Sequence, residues 1–124
     1  MAQIRNLLAA CAVFFGAALS ASAAPQLVMV ERDGCHWCEA WNEVIAPIYP
    51  KTDAGAFAPL LRADLYEEPP EGVRFDRPVS FTPTFILVDG GRELGRIEGY
   101  PGEEFFWVLL EKLLTDTTSY EAGS

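Results

Sequence analysis

Two cysteines with two residues between them, Gly34-Cys35-His36-Trp37-Cys38, set the narrowest limit on what this chain can become. An apolar run, Leu27-Val28-Met29-Val30, precedes them, and a helix-like run from Glu39 to Ile45 follows. Strand, turn, Cys-x-x-Cys, helix places the first cysteine at a helix start. Unpaired N–H groups and a partial positive charge there stabilise a thiolate. The second cysteine falls one turn further in, more shielded and near enough to close a disulfide. Cys35 is thus expected to exchange with a partner sulfur, and Cys38 to resolve the mixed disulfide.

Other uses of the pair fit less well. A loop this short removes little entropy from the unfolded chain, so it is a poor staple. Cys35, His36 and Cys38 give too few ligands of usable spacing for a four-coordinate zinc site. His36 is the only histidine in the sequence. As an imidazolium it would stabilise the adjacent thiolate and make the couple more oxidising. As an exposed side chain it would reach neither sulfur, and the sequence leaves both readings open.

The first residues read as an export signal. Arg5 supplies a positive start, Leu7 to Leu19 is an apolar run, and Ala21-Ser22-Ala23 offers small residues at a cleavage site. Cleavage after Ala23 gives a signal peptide at 1–23 and a single domain at 24–124. The Ala-x-Ala ending has a bacterial form, so the expected location is the periplasm. Leu8-Ala9-Ala10-Cys11 also matches a lipoprotein box. It lies in the middle of the apolar run, whereas a lipidated cysteine follows such a run. Cleavage removes Cys11 and leaves Cys35 and Cys38 as the only cysteines of the mature chain, a pair suited to redox work.

The net charge of −9 repels phosphate backbones and argues against a nucleic-acid partner. The length suits one domain, and half the residues are apolar, enough for a packed core.

Along the chain, Gln26 to Glu31 reads as a strand buried on both faces. A helix from Cys35 to Ile45 or Ala46 ends at Pro47 and Pro50. Trp37, Trp41 and Ile45 recur at helical spacing, with Trp41 expected in the core and Trp37 partly exposed. Lys51 to Ala58 reads as a loop or frayed turn, Leu60 to Tyr66 as a second strand, and Val73 to Ser80 as loop or a short helical turn. Thr84-Phe85-Ile86-Leu87-Val88, then Asp89-Gly90-Gly91, then Glu93 to Glu98 is a hairpin pattern. Glu103 to Leu114 reads as a final helix with Phe106, Leu109, Leu110 and Leu113 inward, and a polar tail that frays from Thr115. The expected architecture is α/β, a β-α-β unit followed by β-β-α, with a four-stranded mixed sheet in the order 2-1-3-4.

These elements together resemble the thioredoxin superfamily. The likeness covers nearly all of residues 26–114 and rests on Cys-x-x-Cys after a strand, Thr82-Pro83-Thr84-Phe85-Ile86-Leu87-Val88, Gly90-Gly91, a returning strand and a terminal helix. It implies that Cys35 and Cys38 are the redox pair, with no other cofactor. It implies that Pro83 is cis and contacts substrate, and that Thr82 before it tunes potential and binding, as His36 and Trp37 would from between the cysteines. The stretches Trp41 to Tyr49 and Gly99 to Trp107 further resemble the periplasmic accessory thioredoxins of bacterial sulfur-oxidation (Sox) systems, the SoxS type. That likeness implies a monomer that reduces a blocked cysteine or disulfide on a partner protein and is re-reduced by a membrane electron donor. A dithiol oxidase or isomerase, a non-catalytic binding module and a metallochaperone are the rival readings.

The chain also departs from thioredoxins. Gly34 stands where they carry tryptophan, and His36-Trp37 where they carry Gly-Pro. Met29 stands where they carry a buried carboxylate that shuttles protons. Alternation along the strand puts Glu31 on the same face as Met29, which leaves open whether it substitutes.

Overall fold

The structure is a computed structural model and describes residues 24–122. The signal peptide, its cleavage site and Cys11 lie outside the described residues.

The apolar run becomes β1 (Gln26–Glu31), buried at every position from Leu27 to Val30. It is buried on both faces because it is central. It pairs in parallel with β2 (Leu60–Asp64) and antiparallel with β3 (Thr84–Asp89), and β4 (Arg92–Glu98) completes the sheet beside β3. The order is β2-β1-β3-β4, as the sequence pattern predicts. The parallel pair needs a crossover, which α1 (His36–Val44) supplies together with a 3-10 turn (Tyr49–Lys51) and the short helix α2 (Asp53–Phe57). The region from Lys51, expected as a loop or frayed turn, therefore holds a helical turn that Thr52 caps, its hydroxyl accepting from Gly55 N at 3.0 Å.

One face of the sheet carries Leu27, Met29, Phe85, Leu87 and Ile97, and packs with α1 and with α3 (Glu103–Thr117). Trp41 is the centre of this core. It is fully buried, with ring centroids 5.1 Å from Phe85, 5.7 Å from Phe106 and 6.1 Å from Tyr49. Such pairs are each worth about 0.5–1.5 kcal/mol beyond area burial.

Helix α3 departs from the sequence reading in two ways. Its buried residues are Phe106, Leu110 and Leu114, while Leu109 is exposed. The inner stripe is thus rotated by part of a turn, because Leu113 lies over Gly95 and Trp107 stacks on Tyr49. The helix also runs on to Thr117, and the chain beyond it is held: Tyr120 is buried, its ring against Phe57 and its hydroxyl on Glu111 at 3.1 Å.

The opposite face is covered differently. Val28, Val30, Ile86 and Val88 are sealed by Leu65, Val73, Phe75 and Val79, from the irregular stretch between β2 and β3. An isolated bridge, Arg74 with Arg92, joins that stretch to β4. A buried ion pair underlies it. Arg96 binds the Glu93 carboxylate through two nitrogens, and both side chains are nearly enclosed, 4% and 2% exposed. A β-bulge between Leu87 and Val88 brings Glu93 onto this face beside Arg96.

Candidate redox site

The site begins with a turn. Asp33-Gly34 ends β1, and Gly34 has φ +74°, a conformation that glycine adopts freely and larger residues resist. This accounts for glycine at the position where thioredoxins carry tryptophan. Cys35 then caps α1 with extended backbone, and its carbonyl accepts from Glu39 N at 3.0 Å. Its sulfur sits where a capping side chain would, and accepts from Cys38 N at 3.1 Å. The helix N-terminus thus points an N–H group at Cys35 Sγ.

Cys35 and Cys38 form a disulfide with Cα atoms 5.2 Å apart. Both residues are nearly enclosed, at 3% and 2% exposure, so the two sulfurs differ less in shielding than in backbone setting. Cys38 sits in the apolar core with Met29, Trp41 and Phe85.

Between the cysteines, Trp37 is 57% exposed, and His36 lies edge-on to it with ring centroids 5.0 Å apart. Among the described residues His36 has no hydrogen bond to either sulfur.

A second loop approaches this one. The Thr82–Pro83 peptide bond is cis, Pro83 is buried, and its carbonyl accepts from Gly99 N at 2.7 Å. Thr84, fully buried, donates its hydroxyl to Phe81 O at 2.7 Å and fixes the loop from the strand side. The two loops meet in an open cleft of about 360 Å³ lined by Trp37, Phe81, Thr82, Glu98 and Gly99. The structure thus brings together Trp37 and Thr82, residues far apart in sequence, and Thr82 is followed by the buried Pro83.

Phe81 and Glu98 line the cleft and were not singled out by the sequence reading. Phe81 is 61% exposed. An aromatic residue standing outside any apolar run, one place before Thr82-Pro83, was the available signal. Glu98 carried none.

Glu31 lies on the α1 side of the sheet, as alternation requires. Its carboxylate accepts from Arg62 at 2.6 Å and from Asn42 at 3.4 Å. Arg62 also donates to Asn42 Oδ1 at 2.9 Å and to the Met29 sulfur at 3.7 Å. Glu31 is therefore held in a polar ring with partners of its own. No group of three or more His, Cys, Asp or Glu side chains gathers as a metal site among the described residues.

A disulfide that caps a helix, set on this sheet, with Trp37 from between its cysteines lining the same cleft as a cis-proline loop, belongs to one class of protein, and the chain is a member of the thioredoxin superfamily, a thiol–disulfide oxidoreductase. Among solved structures it is 48% identical to the periplasmic thioredoxin SoxS from Paracoccus pantotrophus in its reduced form, with a TM-score of 0.72 over 73% of this chain and 96% of that one. Two more distant likenesses bear on the fold alone. A Trxlp protein from Edwardsiella tarda is 24% identical at a TM-score of 0.56, covering 73% of this chain and 84% of its own. A Malassezia sympodialis thioredoxin is 17% identical at 0.54, covering 73% and 78%. No protein-family model matches the chain, and no curated protein matches it.

Proposed function

We propose that this protein is a periplasmic reductant that opens a disulfide, or frees a blocked cysteine, on an exported partner protein. The observation that carries the reading is the Cys35 sulfur at the α1 cap, with Cys38 N–H on it at 3.1 Å. In the reduced protein that N–H and the helix N-terminus favour the Cys35 thiolate. The thiolate attacks one sulfur of the partner disulfide and the other leaves as a thiolate, which takes up a proton. Cys38, deprotonated, then attacks Cys35 Sγ. The partner departs with two thiols, and the Cys35–Cys38 disulfide keeps the oxidation. Two electrons and two protons from a membrane donor restore the dithiol.

Residues 24–124 are the mature protein in this reading, acting as a monomer after loss of the signal peptide. The likeness to a periplasmic thioredoxin, SoxS, supports the location, and the sequence resemblance to the Sox accessory thioredoxins implies as partner a sulfur-oxidation carrier protein with a blocked cysteine. Trp37, Phe81 and Thr82 receive the partner segment, Pro83 backs it, and His36 and Trp37 tune the couple.

Trapping tests this directly. A Cys38→Ala variant incubated with periplasmic extract should accumulate a mixed disulfide through Cys35, released by dithiothreitol. Absence of any adduct, together with failure of the wild type to reduce insulin, overturns the reading. Redox titration fixes the direction: a potential near about −270 mV marks a reductant, one near about −120 mV an oxidant.

A further inference from the structure

The cleft beside the disulfide has one wall on α1 and the other on a stretch without a helix or paired strand of its own. Phe81 and Thr82 end that stretch. What holds them in place is on the far face of the sheet. Arg96 points its guanidinium at two backbone carbonyls of the stretch, Arg77 O at 2.9 Å and Pro78 O at 3.3 Å, while Glu93 holds the same guanidinium from below. Arg77 then reaches back to β4, 4.0 Å from the Glu93 carboxylate and 3.4 Å from that of Glu98. Glu98 lines the cleft opposite Trp37. One chain of contacts therefore runs from a buried ion pair, through the backbone at 77 and 78, to the rim of the redox cleft.

A buried guanidinium is costly to desolvate unless its donors are used, and here four of its five N–H groups are spent on one carboxylate and two carbonyls. Apolar residues at 93 and 96 would seal the sheet face as well. They would leave the carbonyls of Arg77 and Pro78 without this clamp. The ion pair thus does something that packing alone does not: it fixes the path of the backbone three to five residues before Phe81 and Thr82.

We propose that Arg96 and Arg77 are positioning residues for partner recognition. Arg96, set by Glu93, holds the backbone at 77–78, and Arg77 ties it to Glu98, so that Phe81 and Thr82 stand across from Trp37. The inference rests on the reading that this cleft receives the partner. It separates two properties of the enzyme: the clamp governs affinity for an extended protein segment, and it does not touch the sulfur chemistry.

The test compares a protein disulfide with a small one. Dithiothreitol-driven reduction of insulin and of hydroxyethyl disulfide is measured for Arg77→Gln, Arg77→Lys, Arg96→Gln and Phe81→Ala, with the Cys35–Cys38 potential of each. Arg77 is 59% exposed, so Arg77→Gln should fold like the wild type. It should raise KM for insulin by on the order of tenfold with kcat little changed. Reduction of the small disulfide and the potential should stay at wild-type values. Arg77→Lys should recover most of the loss, since a point charge still reaches Glu98. Arg96→Gln should show the same split, more strongly, where it folds; where it does not, Arg77→Gln carries the test.

Phe81→Ala keeps the two readings distinct. If it raises KM for insulin while Arg77→Gln and folded Arg96→Gln do not, the positioning inference is overturned and the cleft stands. If Phe81→Ala leaves KM for insulin unchanged, the cleft reading is overturned and the positioning inference falls with it. If the arginine variants lose both substrates in proportion, their effect is general and the inference is again overturned.

Discussion

The Arg62 guanidinium lies 3.7 Å from the sulfur of Met29, at the position where thioredoxins carry a buried carboxylate. Met29 is fully buried and faces the same core as Cys38. Its register partners are Arg62 and Phe85, neither of which takes up a proton. With no carboxylate at this position, and with the Glu31 carboxylate held by Arg62 and Asn42, the expected route for the Cys38 proton is to solvent or to the departing thiolate. Resolution of a mixed disulfide, followed by stopped-flow release of a fluorescent peptide thiol, should accelerate as pH rises, because the Cys38 thiolate is the attacking species. Met29→Leu should keep that profile and cost under about 1.5 kcal/mol. Met29→Asp, with Arg62 beside it, should add rate near neutral pH. A changed profile in Met29→Leu would show that the thioether does more than fill space.

Trp41 is fully buried, and its indole nitrogen has no hydrogen-bond partner among the described residues. An unpaired buried donor costs free energy that a phenyl ring does not incur. Trp41→Ala should therefore destabilise by about 3–5 kcal/mol, while Trp41→Phe should cost well under half of that. Urea unfolding of both variants decides it, and equal losses would mean that indole volume matters and the orphaned donor does not.

Burial pushes the Tyr49 phenol well above its usual range, and the Tyr120 charge adds to the effect. Tyr120 is pushed up to about 12, first by burial, then by its hydrogen bond to Glu111 and by the Glu111 and Asp53 charges. Both stay protonated in the folded chain after the unfolded chain has begun to ionise near about 10. The folded state then holds more protons, so its stability is complete below about pH 10 and is lost as pH climbs toward 12. Urea midpoints measured between pH 7 and 12 should be flat at first and then fall. Tyr120→Phe should make that fall shallower.

Two glycines with similar backbone should respond very differently to alanine. Gly34 has φ +74° and open space around it, so Gly34→Ala should cost only the left-handed penalty of about 1–2 kcal/mol. Gly91 has φ +77° and, in addition, a Cβ there would stand 1.8 Å from Gly72 O. Gly91→Ala should cost clearly more, and should speed hydrogen exchange at the Arg74 amide, which donates to Gly91 O at 2.7 Å. Equal costs for the two variants would refute the importance of that contact.

The elements legible in the sequence are those whose signal is local. Leu27 to Val30 announced a central strand because every residue is apolar, and Asp89-Gly90-Gly91 announced a hairpin because its turn needs positive φ. The Cys35–Cys38 spacing alone allowed metal binding, a staple or redox work, and the export signal, the loss of Cys11 and the Thr82-Pro83 loop narrowed it to redox work. Leu109 was misplaced because periodicity gives a stripe but not its rotation, which Gly95 and Tyr49 decide from other elements. Tyr120 looked like part of a fraying tail because its partner, Phe57, is far away in sequence. The second wall of the cleft was hidden for the same reason. Nothing near Phe81 says that Arg96 holds its loop, and nothing near Glu93 says that a bulge turns it inward.

The two faces of the sheet are closed by different means, helices on one side and an irregular stretch clamped by Arg96 on the other. The electron-carrying pair belongs to the first, and half of the recognition surface belongs to the second. A protein built this way divides into a redox engine and an exchangeable adaptor. Replacing residues 65–82 with the corresponding stretch of a relative, Glu93 and Arg96 retained, should redirect the enzyme to that relative's partners while the potential of its couple stays where it was.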